Sequence, residues 1–183
     1  MIQGEGVRFR GVDREDLPLF VEWLADPEVR RGLSMHLPMT MALEENWFEA
    51  MIKQPMDEQT LAIEALIDRK WQLVGSCGFH NLEWRVSQAE VGILIGAKQH
   101  WNKGIGTAAM SLLVQHAFET LNLNRVYLRV FESNPAAIRS YEKVGFVHEG
   151  RMRQADYQDG KQIDVLYMGL LRSEWESKTE RGA

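Results

Sequence analysis

The sequence predicts a mixed α/β fold of the α+β kind, a mostly antiparallel sheet with helices on its faces. Three observations carry that prediction. "EQTLAIEALI" and "QLVGSCGFHNLEW" read as two strands joined by a turn through "DRKW". "QAEVGILIGA" and "NRVYLRVF" read as two more strands with a helix between them. The stretch from Val147 to Leu171 carries Asp159-Gly160 at its middle, a hairpin signal. With 183 residues the chain has enough for one sizeable core and is short for two.

Each element has its own signature. "VRFRGV" alternates apolar and charged residues, as a half-buried strand does. In "DREDLPLFVEWLADPEV", Asp13 can cap a helix on which Leu17, Phe20, Val21 and Leu24 recur, and Pro27 closes or bends it. "TMALEENWFEAMIKQ" reads as a helix capped by Thr40, with Leu43, Trp47, Phe48 and Met51 on one face. "QAEVGILIGA" is apolar on both faces after Glu90, which suits a central strand. The helix that begins near Gly104 carries Ile105, Ala108, Ala109, Leu112, Leu113 and Ala117 as its buried stripe. "NPAAIRSYEKVGF" has Asn134 as cap, Pro135 at the first helical position and Gly145 as the stop. The tail "SKTERGA", residues 177–183, is expected to be polar and disordered, which leaves residues 1–176 as a single domain.

Composition narrows the partners. Hydrophobic residues at 45% and charged residues at 26% are an ordinary globular mix, and a net charge of −5 argues against a general nucleic-acid binder. Cys77, the single cysteine, allows no intramolecular disulfide, and in its apolar strand it reads as a small buried residue. The opening residues lack the apolar core of a signal peptide, and no run is long enough to span a bilayer. These features lead to the expectation of a cytoplasmic protein with no nucleic-acid or membrane partner. The five histidines show no metal-ligand spacing, so no metal is expected. Of these, His116 reads as a core residue, and His80 as a structural one or as lining of a substrate cleft.

"HWNKGIGTAA" places Gly104 and Gly106 at the head of an apolar helix. The first turn of a helix exposes unpaired N–H groups, and residues without side chains let an anion approach them. Lys103 adds a charge and Thr107 a hydroxyl. The stretch lacks the Gly-Lys-Ser/Thr ending of a P-loop and the third glycine of a dinucleotide fingerprint. Alone, it reads equally well as a plain helix start or as an anion site.

Its context changes that balance. "VGILIGAKQHWNKGIG" followed by "NPAAIRSYEKVGF" resembles the acyl-CoA-binding core of the GCN5-related N-acetyltransferases, the GNAT superfamily. "EGRMRQADYQDGKQIDVLYMGLLRSEW" extends the resemblance to the RimJ/RimL-like branch, whose members act on ribosomal-protein N-termini, polyamines and small amines. The resemblance spans residues 7 to 175 in order of elements and is strongest from Glu90 to Trp175. One departure is Trp101, which stands where the family carries Gln or Arg; it removes a polar contact and leaves the backbone cradle intact.

The resemblance implies a GNAT acyl-CoA N-acyltransferase fold, with the fourth and fifth strands splayed around a bulge and helices on both faces. Acetyl-CoA, as cosubstrate, would lie in that gap. Its pantetheine would pair with Ile93, Leu94 and Ile95, and its pyrophosphate would sit on Trp101, Asn102, Lys103, Gly104, Ile105, Gly106 and Thr107. Gly92 and Gly96 fit a bulged or closely approached strand.

Tyr141 falls where the family places the tyrosine that protonates the leaving thiolate, seven residues after Asn134. A phenol with an ordinary pKa near ~10 stays protonated at neutral pH and can donate. Packing against Ala137 and Ile138 would explain Tyr141 as well. Glu90 matches the family's glutamate base, though a carboxylate paired with a Lys or Arg fits the residues equally. Asn134 would cap its helix and touch the pantetheine region.

The acceptor would be a small-molecule or peptide amine, met by the N-terminal helices with Glu44, Glu45 and Glu49, and by the hairpin. The expected activity is acetyl-CoA-dependent N-acetyl transfer to a primary amine by direct attack. Two alternatives are a non-catalytic acyl-CoA-binding sensor or scaffold and a nucleotide-binding protein. The branch also allows a homodimer.

Overall fold

The computed structural model describes residues 1–182. Among them are eight strands: β1 (Ile2–Gln3), β2 (Val7–Gly11), β3 (Leu61–Ile67), β4 (Lys70–Glu83), β5 (Gln88–Ile95), β6 (Arg125–Phe131), β7 (Val147–Gln158) and β8 (Lys161–Leu171). The helices are α1 (Leu17–Ala25), α2 (Pro27–Arg30), α3 (Met41–Met51), α4 (Ile105–Gln115), α5 (Pro135–Val144) and α6 (Arg172–Gly182). The strands form one sheet in the order β1-β2-β3-β4-β5-β6-β8-β7. Every neighbouring pair is antiparallel except β5–β6, which is parallel because α4 carries the chain back between them. The predicted mixed, mostly antiparallel sheet is what forms.

Two tight hairpins follow from local chemistry. Asp68 and Arg69 sit at φ of 50° and 64° between β3 and β4, and Asp159 and Gly160 at 49° and 80° between β7 and β8. Two successive positive φ angles give the turn whose twist matches the flanking strands.

The parallel pair is short. β5 and β6 share register at Gln88↔Arg125, Ala89↔Val126 and Glu90↔Tyr127, and the pairing stops there. Counted from β2, these are the fourth and fifth strands, so the splay lies where the resemblance implies it. The bulge lies one strand over. The register shifts in β4 between His80 and Glu83, where Asn81 takes φ of 51°, and β5 itself runs evenly. Gly92 and Gly96 are sites of close approach instead. A Cβ on Gly96 would collide with the Trp23 ring, and one on Gly92 would lie 3.2 Å from His80 Nε2.

Ala89, Glu90 and Val91 are consecutive, so they point to alternate faces, and all three are buried. The sheet is therefore covered on both sides at its centre. α4 buries Met110 and Val114 in addition to the predicted Ala109, Leu112 and Leu113, because it is packed nearly all round. On α3 the predicted face needs one correction. Leu43 is 53% exposed, and the buried face is Glu44, Phe48 and Met51 with Trp47 beside them.

The C-terminal segment also differs from the expected disordered tail. α6 continues to Gly182, and Ala183 lies outside the described residues. Its start is tied down. Leu171 N–H donates to Glu174 at 2.9 Å, and Trp175 packs on Phe118 with ring centroids 5.5 Å apart. Arg172 donates to the carbonyl of Leu123 at 3.0 Å and also to that of Phe118, satisfying groups beyond the end of α4. Further along, Lys178 Nζ donates to the carbonyl of Lys143, so a second turn of this polar helix is also held to the body of the protein. No helix among the described residues is long and apolar enough to cross a membrane.

Candidate active site

β5 ends at Ile95, a single 3-10 turn spans Lys98–His100, and α4 begins at Ile105. Gly104, just before the helix, has φ of 83°, and a Cβ placed there would meet nothing within 4 Å. A left-handed position with open space in front of it suits glycine and leaves the helix start uncovered. Ala108 N–H bonds back to Gly104 O at 2.9 Å, so the N–H groups of Ile105, Gly106 and Thr107 precede the first helical bond. They form the positive end of α4. Asn102 and Lys103 are exposed on the turn.

Side chains brace this turn from behind. Trp101 Nε1 donates to Ile95 O at 2.7 Å, which fastens the turn to the end of β5. The family departure at Trp101 thus supplies a structural hydrogen bond. Lys98 Nζ donates to Asp26 at 2.9 Å and pairs with Glu28, so the same turn is held against α2. Thr107 and Ser140 hydroxyls are 2.7 Å apart and link α4 to α5.

Ile93, Leu94 and Ile95 pair with Cys77, Ser76 and Gly75 of β4 on one side. On the other side β6 has diverged, so this edge of β5 faces the gap. Asn134 caps α5 by accepting from Ala137 N–H at 3.1 Å. A Cβ on Gly32 would lie 3.5 Å from the Asn134 side-chain nitrogen, which places Asn134 beside the loop after α2.

Tyr141 lies on α5, its ring centroid 6.0 Å from that of Phe146. Its hydroxyl makes no hydrogen bond to the protein among the described residues, and burial pushes the phenol up to about 12. It is thus a protonated donor at neutral pH with no competing partner. Glu90 is 8% exposed and fully engaged. It accepts from Arg129 Nε at 2.7 Å, from Arg129 Nη2 at 3.3 Å and from Asn81 Nδ2 at 2.9 Å. Of the two readings left open for Glu90, this geometry favours the paired carboxylate.

A cavity of about 280 Å³ opens between the N-terminal helices and the sheet. Phe20, Trp23 and Leu24 of α1 line it, with Leu33, Met35 and Met39 of the loop before α3. Glu44 and Trp47 come from α3. Thr60, the β4 residues Ser76, Cys77, Gly78 and His80, and the β5 residues Gly92, Ile93 and Leu94 complete it. The cavity therefore reaches the free part of β5, and Glu90 does not line it. Cys77 is 3% exposed and burial pushes its thiol up, which makes it inert packing. His80 lies against Gly92 in the cavity wall, the cleft-lining placement that was the second of its two readings from sequence.

The three acids of α3 separate. Glu45 is exposed and Glu49 pairs with Arg14. Glu44 is 2% exposed, has no hydrogen-bond or charged partner among the described residues, and burial raises its pKa. The β7–β8 hairpin meets the loop after α2. Arg31 pairs with Asp159 at 3.2 Å and Gln158 Nε2 donates to Arg31 O at 3.1 Å, but no hairpin residue lines the cavity. His116 is half-buried with its ring 6.2 Å from that of Phe79, and desolvation lowers its pKa. No group of three His, Cys, Asp or Glu among the described residues is placed to hold a metal ion.

A strand edge opened by a splay, running into an uncovered helix N-terminus with a protonated tyrosine on the next helix, defines an N-acetyltransferase of the GNAT type. The model of the acetyltransferase (GNAT) domain matches residues 7–147, and the chain belongs to that family, in its RimJ/RimL-like part. It is 39% identical over 178 residues to "Putative ribosomal N-acetyltransferase YdaF" of Bacillus subtilis (strain 168), covering 95% of this chain and 96% of that one. It is 31% identical over 113 residues to the spermidine N(1)-acetyltransferase of Vibrio cholerae, covering 62% of this chain and 65% of that one. The crystal structure of a Vibrio cholerae spermidine N-acetyltransferase in complex with CoA and spermine matches with a TM-score of 0.85 at 24% identity, over 94% of this chain and 99% of that one. That likeness speaks for the fold.

Proposed function

We propose that this protein moves an acetyl group from acetyl-CoA to a primary amine by direct attack in a ternary complex. The observation that carries this is the edge of β5 beyond Glu90, left without a β6 partner from Val91 onward and leading into the uncovered N-terminus of α4 at Gly104. Backbone groups of Ile93, Leu94 and Ile95 would hold the pantetheine, and N–H groups from Trp101 to Thr107 the pyrophosphate. Asn134 stands at the pantetheine end. When bound, acetyl-CoA supplies an activated acetyl group and a thiolate as leaving group.

The chain's own groups do the rest. Tyr141 holds a proton at its hydroxyl for the departing sulfur. A β5 N–H left unpaired by the splay donates to the oxygen on which charge develops. The cavity wall positions the neutral amine, so its contribution is chiefly orientation. Glu90 serves this arrangement by gripping Arg129 at the last paired position of β5 and β6, where the mouth of the gap is set. As the base, it would have to release donors from both Arg129 and Asn81.

Two measurements test the reading. CoA or acetyl-CoA should raise the melting temperature by mass action, by about 2.7 kcal/mol of stability at a hundredfold excess over Kd. Thiol release should follow with a panel of amines that includes polyamines and peptide N-termini. No thermal shift at saturating ligand would remove the proposal. A shift without thiol release for any amine would mark a non-catalytic acyl-CoA binder.

A further inference from the structure

Glu44 buries a carboxylate that nothing in the protein neutralises. It is 2% exposed, it lines the cavity that reaches Ile93 and Leu94, and no donor among the described residues approaches it. An unpaired buried charge destabilises a fold, and an apolar or amide side chain of the same size would avoid that effect. A cation entering the cavity would remove it. The lining that Glu44 shares includes Leu33, Met35, Met39 and Trp47, which suits an alkyl chain, and an indole face attracts an ammonium. Besides Glu44, the polar side-chain groups of the lining are those of Thr60, Ser76 and His80, the Cys77 thiol and the indole N–H groups of Trp23 and Trp47, and the rest of the side chains are apolar.

The cavity, about 280 Å³ and open to solvent, has room for an alkyl chain. The charge on the attacking nitrogen decides the rest. That nitrogen must be neutral, and a carboxylate paired to it would keep it protonated. A carboxylate in this cavity can act on that nitrogen as a base or hold a second nitrogen that stays charged, and only the second role uses a charge that persists through the reaction.

We propose that Glu44 is the anionic anchor for a second ammonium group of the acceptor, so that the site selects an aliphatic diamine or polyamine. The assignment rests on the acetyltransferase reading of the same site. It makes Glu44 a specificity residue that touches substrate away from the reacting bond.

The test compares 1,4-diaminobutane with butylamine, which has the same chain and lacks the second nitrogen, on the wild type and on Glu44→Gln. Replacing an unpaired buried acid by its amide leaves the fold intact, and an unchanged thermal shift with CoA verifies this. The variant should raise KM for the diamine at least 30-fold with kcat within threefold, and KM for butylamine should stay within twofold. Calorimetry on the CoA-bound protein provides a readout without turnover, and the diamine should bind the wild type at least 30-fold more tightly than the variant. Equal affinity for the two proteins, an equal loss with both amines, or a fall in kcat at constant KM would each overturn the anchor. Absence of CoA binding would overturn the acetyltransferase reading instead, and diamine calorimetry on the free protein would still decide the role of Glu44.

Discussion

On the β5–β6 side of the cleft, Glu90 is 8% exposed and its oxygens accept from Arg129 and Asn81. On the α1–α3 side, Glu44 is 2% exposed and accepts from nothing in the described chain. The difference extends to everything around the two carboxylates. The first side is organised by backbone: a strand edge, a left-handed glycine and a helix N-terminus, with the Glu90 carboxylate satisfied and the Tyr141 hydroxyl left free of protein partners among the described residues. The second is organised by side chains from α1, the loop before α3, α3, β4 and β5, with one carboxyl left unpaired among the described residues. A site for an invariant cosubstrate can be built from main chain, whereas a site for a variable acceptor is built from side chains.

The largest test of this contrast is Tyr141→Phe. It removes the one polar side-chain atom the cosubstrate side offers to the chemistry, so kcat should fall about 100-fold, which is roughly 2.7 kcal/mol. Affinity for acetyl-CoA should stay within twofold, because the backbone cradle is untouched. Steady-state kinetics together with a thermal shift separate the two effects. An unchanged rate would mean that water protonates the thiolate.

Gly104→Val comes next and acts on the cradle itself. A β-branched residue at φ of 83° is strained even where space is open. The turn should shift to relieve it, and CoA affinity should fall about 30-fold, or roughly 2 kcal/mol, whereas Lys103→Ala should change it by about threefold or less. If the lysine mattered more than the glycine, the cosubstrate side would not be a main-chain site.

These two regions also explain what could be read from the sequence. The order of elements, the caps at Thr40 and Asn134 and the two-residue hairpins were legible because each depends on residues close in sequence, whereas the splay came from the family resemblance. The bulge was displaced from β5 to β4 because Gly92 and Gly96 answer to His80 and Trp23, partners that sequence does not reveal. Glu44 was within reach. From Thr40 as cap, positions 44, 47, 48 and 51 share one helical face. A preference for apolar residues put Leu43 there in place of the acid. Arg129 as the partner of Glu90 lay beyond the sequence, since the two meet only through the parallel pairing of β5 and β6.

Arg129→Ala probes the satisfied carboxylate. It would leave Glu90 buried with Asn81 as its remaining partner, so stability should drop by roughly 1–2 kcal/mol, less than for a fully buried pair because the Arg129 side chain is 53% exposed. Urea unfolding would measure it. Glu90→Gln should leave the pH–rate profile in place; a profile that loses its acidic limb would restore Glu90 as the base.

The smallest effect is the most diagnostic of the contrast, because it has the opposite sign. Burial raises the Glu44 pKa above its unfolded value, so between those two values the folded state binds more protons than the unfolded state. The stability linked to Glu44 is therefore fully present below about pH 4, the unfolded range, and is lost as pH rises through the folded pKa. Glu44→Gln removes that loss. The variant should be more stable than the wild type at pH 7 and above, by about 1 kcal/mol, and the gain should vanish by about pH 4. Cys77 and His80 also line the cavity, and burial keeps the Cys77 thiol protonated over this range, so pairing the variant with His80→Gln isolates the acid. Thermal melts across pH would show the crossover. Saturating 1,4-diaminobutane should erase the difference by stabilising the wild type alone, whereas an amine that stabilised both proteins equally would show that the buried charge has no part in recognising it.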